Sequence, residues 1–133
     1  MPSLNLEHIA CNVSDPAAMA AWYVEHLGMR VVRHSPDPPH LHFLADAAGR
    51  AVIEIYRNAE DAIPDYTAMN PIQFHIAFAA PDPDASRAAL VAVGATFVDE
   101  RTMADGSRLL MLRDPWGVPV QLCKRPTPLL AEA

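Results

Sequence analysis

Two stretches of this chain carry the same marks in the same order, so the simplest fold for it is two like modules related by a pseudo-twofold axis. His8 opens the first stretch and Glu54 closes it; His75 opens the second and Gln121 closes it, after an equal interval. Each histidine sits in an apolar run, Leu6-Glu7-His8-Ile9-Ala10 and Phe74-His75-Ile76-Ala77-Phe78, and each is followed at the same distance by Asp-Pro, Asp15-Pro16 and Asp82-Pro83. Near the end of each stretch a turn sequence, Asp46-Ala47-Ala48-Gly49 or Asp114-Pro115-Trp116-Gly117, leads into a short apolar strand that carries Glu54 or Gln121. Two imidazoles, a carboxylate and an amide form a nitrogen and oxygen donor set suited to a divalent metal.

The local signals give each stretch the order βαβββ. Residues 4–13 alternate as a strand, and Ser14-Asp15-Pro16 supplies cap and first-turn chemistry for a helix from Ala17 to about Leu27, stopped by Gly28. Strands follow over residues 29–34, 41–45 and 51–56. The second stretch repeats this with a strand over 72–79, an Asp82 cap, a helix over 83–93 stopped by Gly94, and strands over 96–100, 108–112 and 118–123. The expected class is α+β, two tandem βαβββ modules forming a curled mixed sheet, an open cup with the helices outside. One domain is expected, with module 1 at about 4–57, a linker at 58–71, module 2 at 72–124 and a tail at 125–133.

Strand alternation decides which side chains share a face. His8, Ala10 and Asn12 oppose Ile9, Cys11 and Val13; Glu54 opposes Ile53 and Ile55; His75 opposes Phe74 and Ile76; Gln121 opposes Val120 and Leu122. All four marked residues fall on the face away from the helices. The same four also permit a metal-free cup, in which Glu54 pairs with a protonated His8 or His75 or accepts from Gln121; that would be a binding protein. His40 and His42 share a strand face and either line the cup mouth or are ordinary exposed histidines after a Pro-rich loop. Cys11 belongs to the core, whereas Cys123 shares the face of Gln121 and lines the pocket. Arg57 and Arg113 are either counter-charges for an anionic substrate or ordinary charged strand ends.

Composition narrows the partners. Ten Lys+Arg against sixteen Asp+Glu give a net charge of −6, with no basic stripe, so nucleic acid and anionic membranes are poor partners. No apolar run approaches the roughly 20 residues needed to span a bilayer, and Met1-Pro2-Ser3 opens no signal-like segment, so a cytoplasmic location is expected. Two cysteines outside any C-x-x-C pattern make neither a disulfide framework nor a zinc finger.

The stretches His8 to Asp15, Trp22-Tyr23 through Leu27-Gly28-Met29, Ala51 to Ile55, His75-Ile76-Ala77 and Asp114 to Gln121 together resemble the vicinal-oxygen-chelate superfamily, which includes glyoxalase I, bleomycin-resistance proteins and extradiol dioxygenases. The resemblance covers residues 4–124. It implies a metal held by His8, Glu54, His75 and Gln121 that chelates two adjacent oxygens of a small-molecule substrate, and a homodimer in which both chains build each site. The ion is Mn, Fe, Ni, Co, Zn or Mg. Lyase or isomerase chemistry through a metal-bound enolate follows, with Glu54 as the catalytic base. The alternatives are an Fe(II) dioxygenase using His8, His75 and Glu54, and a non-catalytic drug-binding protein.

Two departures bear on the substrate. The commonest family ending has Glu where this chain has Gln121, and an amide cannot move a proton. Glyoxalase I places an Arg four residues after its first ligand and an Asn four after its second, to hold glutathione; here those positions are Asn12 and Asn58. The missing cation argues against a glutathione substrate. Asn12, Asn58, His42 and Cys123 are the expected pocket residues.

Overall fold

The computed structural model describes residues 1–130, so the last part of the expected tail lies outside the described residues. The chain divides into two compact units, Met1–Pro64 and the remainder from Asp65. The first holds β1 (Ile9–Asn12), α1 (Pro16–Leu27), β2 (Arg30–His34), β3 (His42–Ala45) and β4 (Val52–Tyr56). The second repeats that order as β5 (Ile76–Ala79), α2 (Pro83–Ala92), β6 (Thr96–Thr102), β7 (Arg108–Arg113) and β8 (Pro119–Lys124). The fold class is α+β, two tandem βαβββ modules. Each sheet is mixed, with strand order β1-β4-β3-β2 in one and β5-β8-β7-β6 in the other; the β1/β4 and β5/β8 pairs are parallel and the rest antiparallel.

The helices start where the Asp-Pro pairs place them. Asp15 and Asp82 each accept a bond from the third backbone N–H onward, that of Ala18 or Ala85, at 3.1 Å in both cases, and each Pro takes the first helical position, where no N–H is needed. Gly28 ends α1 in the left-handed conformation, φ 70. In the second module α2 ends one residue before the expected Val93, which becomes the cap, and Gly94 follows at φ 110.

Each helix packs on one face of its own sheet. In the first module Met19 and Tyr23 of α1 are fully buried with Val13, Leu44 and Ile55; in the second, Leu110, Leu112, Val118 and Val120 are buried, with Leu90 of α2 nearly so. Arg108 ties α2 to its sheet, with two bonds of 2.9 Å to Asp84 and one of 2.7 Å to Glu100. On the same side the Arg87 guanidinium stands 3.3 Å from the Phe97 ring centroid.

Most strand boundaries shift by one or two residues from the expectation, and two starts shift by more. The first strand begins at Ile9 rather than at residue 4, and the fifth at Ile76 rather than at 72. The ladders explain both. Ile9 pairs with Ile53 and Ile76 with Val120, so the earliest expected residues, Leu4 and Ile72, would fall opposite Ala48 and Trp116 in the turns, which offer no strand. Leu4 and Leu6 are accordingly exposed, and Ile9, expected against the helix, is half exposed on an edge strand.

Both turns fold alike. Gly49 donates to Asp46 O and Gly117 to Asp114 O, each at 3.0 Å, with φ of 69 and 87. The Asp46 carboxylate accepts from the N–H groups of Arg50 and Ala51, and the Asp114 carboxylate from those of Trp116 and Val118. The first turn is one residue longer: Asp46 N pairs with Ala51 O at 3.0 Å, whereas Asp114 N pairs with Val118 O at 2.9 Å.

Candidate functional site

The register gives the two modules the same half-site. Ala10 pairs with Glu54 and Ala77 with Gln121, and each histidine lies two residues before that alanine, immediately ahead of its strand. In the first module His8 Nε2 stands 3.6 Å from Glu54 Oε1 and His8 Nδ1 stands 3.0 Å from Glu7 Oε1, while the ring meets Phe43 edge-on at 5.3 Å between centroids. Phe43 pairs with Glu54 across the β3/β4 ladder and so shares its face. In the second module His75 Nδ1 stands 2.9 Å from Pro71 O, and Gln121 Oε1 accepts from the Cys123 thiol at 3.2 Å. Each imidazole therefore has Nδ1 engaged by an oxygen, the arrangement that fixes the tautomer and leaves Nε2 to bind.

These pairs fit a divalent ion in donor type: a nitrogen with a carboxylate in one module, a nitrogen with an amide oxygen that keeps a lone pair in the other. Among the described residues no group of three or more His, Cys, Asp or Glu side chains is arranged to hold a metal ion. The first module brings His8 and Glu54 into contact, and in the second His75 is held by Pro71 O and Gln121 by the Cys123 thiol.

The four expected pocket residues fare differently. His42 pairs with Ile55, so it lies on the face opposite Glu54; its Nδ1 is 2.8 Å from His40 O and its ring stacks on His34. The side-chain oxygen of Asn12 accepts from Asn58 N at 2.9 Å, and its amide donates to the carbonyls of Asn58, Asp61 and Ala62; Asn58 in turn donates to the Asp61 carboxylate at 2.7 Å. Both asparagines thus fasten the 58–62 loop to β1. Cys123 does share the face of Gln121, and burial pushes its thiol pKa up, which keeps it a protonated donor. Arg57 donates to Ser14 O, and Arg113 to the carbonyls of Tyr66, Met69 and Gly117, so both hold loops.

Beside Gln121 the second module contains a cavity of about 150 Å³. Asn70, Pro71 and Ile72 close one side; Asp99, Arg101 and Met103 come from β6 and the residue after it, Leu109 and Met111 from β7, and Gln121 from β8. Asp99 pairs with Met111, which pairs with Gln121, and Arg101 pairs with Leu109, which pairs with Cys123, so two rows of side chains cross this face. Sequence alternation alone misses Asp99 and Arg101. Phe97 pairs with Leu112 on the helix face, and a bulge at Val98 then turns Asp99 and Arg101 to the other face.

The model of the glyoxalase-like domain matches residues 8–123, nearly the whole described chain. The chain belongs to the glyoxalase-like domain family. Solved structures share its fold. A glyoxalase family protein from Bacillus cereus superposes with a TM-score of 0.78 at 16% identity, over 94% of this chain and 96% of that one. A member of the glyoxalase/bleomycin resistance protein/dioxygenase superfamily from Sphaerobacter thermophilus DSM 20745 gives 0.69 at 20% identity, over 94% and 98%. TnmS3, an antibiotic binding protein from Streptomyces sp. CB03234, gives 0.69 at 18% identity, over 92% and 99%. No curated protein matches the sequence. The vicinal-oxygen-chelate fold expected from the motifs is thereby established for this glyoxalase-like domain, and no helix among its described residues is long and apolar enough to cross a membrane.

Proposed function

We propose that this glyoxalase-like domain is a metal-dependent lyase or isomerase acting on a small substrate with two adjacent oxygens, and that the substrate does not contain glutathione. The observation that carries the reading is the repeated arrangement in which Glu54 and Gln121 stand opposite Ala10 and Ala77, each alanine two residues after a histidine held through Nδ1. His8, Glu54, His75 and Gln121 would hold the ion, the second pair coming from a second copy of the chain. A divalent ion there, whether Mn, Fe, Ni, Co, Zn or Mg, supplies Lewis-acid polarisation of substrate oxygens. Glu54 is the group that moves a proton, since Gln121 cannot. Asn12 is committed to the 58–62 loop and no cation stands in its place, which supports a substrate without the glutathione carboxylates.

A second reading is favoured by the cavity wall. Ile72, Met103, Leu109 and Met111 make it largely apolar, as suits sequestration of a hydrophobic molecule, and the fold is shared with an antibiotic binding protein.

Metal content and melting temperature separate the two. Manganese added to metal-free protein should raise the melting temperature, by the equivalent of about 2.7 kcal/mol at a hundredfold excess over Kd. His8→Ala and His75→Ala should abolish the rise and His26→Ala should keep it. Equal rises in all three variants would remove the ligand assignment, and no uptake of any of the six metals would favour the binding protein.

A further inference from the structure

We infer that the cavity of the second module recognises a ring-sized organic anion through Arg101, with Asp99 accepting a hydrogen bond from a donor elsewhere on the same ligand; this deepens the small-molecule reading above and rests on it. Arg101 lines the cavity and makes no ion pair, hydrogen bond or ring contact among the described residues, and Asp99 is likewise unpartnered there. The other arginines of the module have partners: Arg108 has Asp84 and Glu100, Arg113 three carbonyls, Arg87 the Phe97 ring, and Arg125 the Cys123 thiol. Arg101 is thus an exposed charged group on the cavity lining, with no protein partner for its five donors among the described residues.

Size and spacing narrow the ligand class. A cavity of about 150 Å³ takes one six-membered ring. The apolar floor of Leu109 and Met111 lies under both rows, suiting the face of such a ring. Asp99 and Arg101 are two residues apart on one strand face, about 6.8 Å along the strand. That spacing matches polar groups on opposite sides of a ring rather than on one carbon. A carboxylate alone would meet Arg101 but also the repulsion of Asp99; a ligand with an anionic oxygen at one end and a hydroxyl or amine donor at the other satisfies both.

The test uses 4-hydroxybenzoate, 4-hydroxybenzamide and benzoate as probes, with binding to the full chain read by calorimetric titration and by chemical-shift changes. Wild-type protein should bind 4-hydroxybenzoate at least about tenfold more tightly than either of the other two. Arg101→Gln should remove the preference over the amide, and Arg101→Lys should restore part of it; Asp99→Ala should weaken 4-hydroxybenzoate without weakening benzoate. Both sites are exposed on a strand, so circular dichroism serves as the check that each variant is folded. Equal binding of acid and amide, an unchanged preference in Arg101→Gln, or no binding of any probe at millimolar concentration overturns the inference. Manganese uptake lost in His8→Ala tests the metal separately: uptake without the anion preference rejects this inference alone, and the preference without uptake rejects the metal alone.

Discussion

At Gly117 a methyl group would overlap the Thr67 hydroxyl oxygen and stand 3.0 Å from the Thr67 nitrogen, on a backbone already at φ 87. Both partners are held in place, since Arg113 binds the Gly117 and Tyr66 carbonyls. Gly49, its counterpart in the first module, has only the tip of Arg30 within 4 Å. Gly117→Ala should therefore cost about 3 kcal/mol or more in urea unfolding, and Gly49→Ala only about 1 kcal/mol from its positive φ. A similar loss at the two sites would show that conformation, not the approach of Thr67, sets the cost. Gln121 governs a different quantity. Replacing its amide by a carboxylate adds a second negative donor, so Gln121→Glu should bind manganese more tightly in a calorimetric titration. It should still make no measurable lactoylglutathione from methylglyoxal and glutathione, because Asn12 is not a cation and is bound to its loop. Robust turnover by the wild type, lost in Glu54→Gln, would show the amide to be an adequate ligand.

The link between α2 and its sheet rests on charges at the element ends. Arg108 holds the Asp84 carboxyl below its usual range near 3.8, chiefly by hydrogen bonding. A carboxylate with a lowered folded pKa contributes stability above its unfolded pKa and loses it as the pH falls through the folded value. The melting temperature should thus fall below about pH 4, and Asp84→Asn should flatten that part of the profile. An identical acid profile in the variant would assign the loss to other carboxylates. Much at this scale was legible from sequence: Asp15-Pro16 and Asp82-Pro83 state the helix starts, and Asp-x-x-Gly states both turns, because caps and turns depend on a few adjacent residues. Strand limits and faces were not, because they depend on the partner strand. Val31 pairs with Leu44 and Arg33 with Phe43, so β2 carries a bulge at Val32 just where β6 carries one at Val98. A simple period of two read through those bulges hides Arg33, Asp99 and Arg101. The face of His42 was not legible for a related reason: it is set by pairing with Ile55, which puts it opposite Glu54, and the nearby His40 says nothing of it.

For the whole molecule, the matched half-sites make association the next question. Each module offers one imidazole and one oxygen donor, and each sheet ends in two edge strands, β1 and β2 or β5 and β6. A homodimer with two shared sites is the expected state. Sedimentation that shows only monomer at micromolar concentration would count against shared ligation while leaving the fold untouched. His8, Glu54, His75 and Gln121 could be marked from sequence because their interval repeats; the cavity beside Gln121 could not, because it is made by three strands and a loop. The extra residue in the first turn carries one more consequence, for how this architecture tolerates changes of length. Arg50 already stands as a natural insertion relative to the second turn, and Ala10 and Glu54 remain opposite each other as Ala77 and Gln121 do. Deleting Arg50 should leave the metal-dependent rise in melting temperature in place. Inserting one residue between His8 and Ile9, by contrast, would turn the imidazole toward the helix side and abolish it. A change of length in this chain should thus be harmless at its turns and ruinous at the start of its first strand.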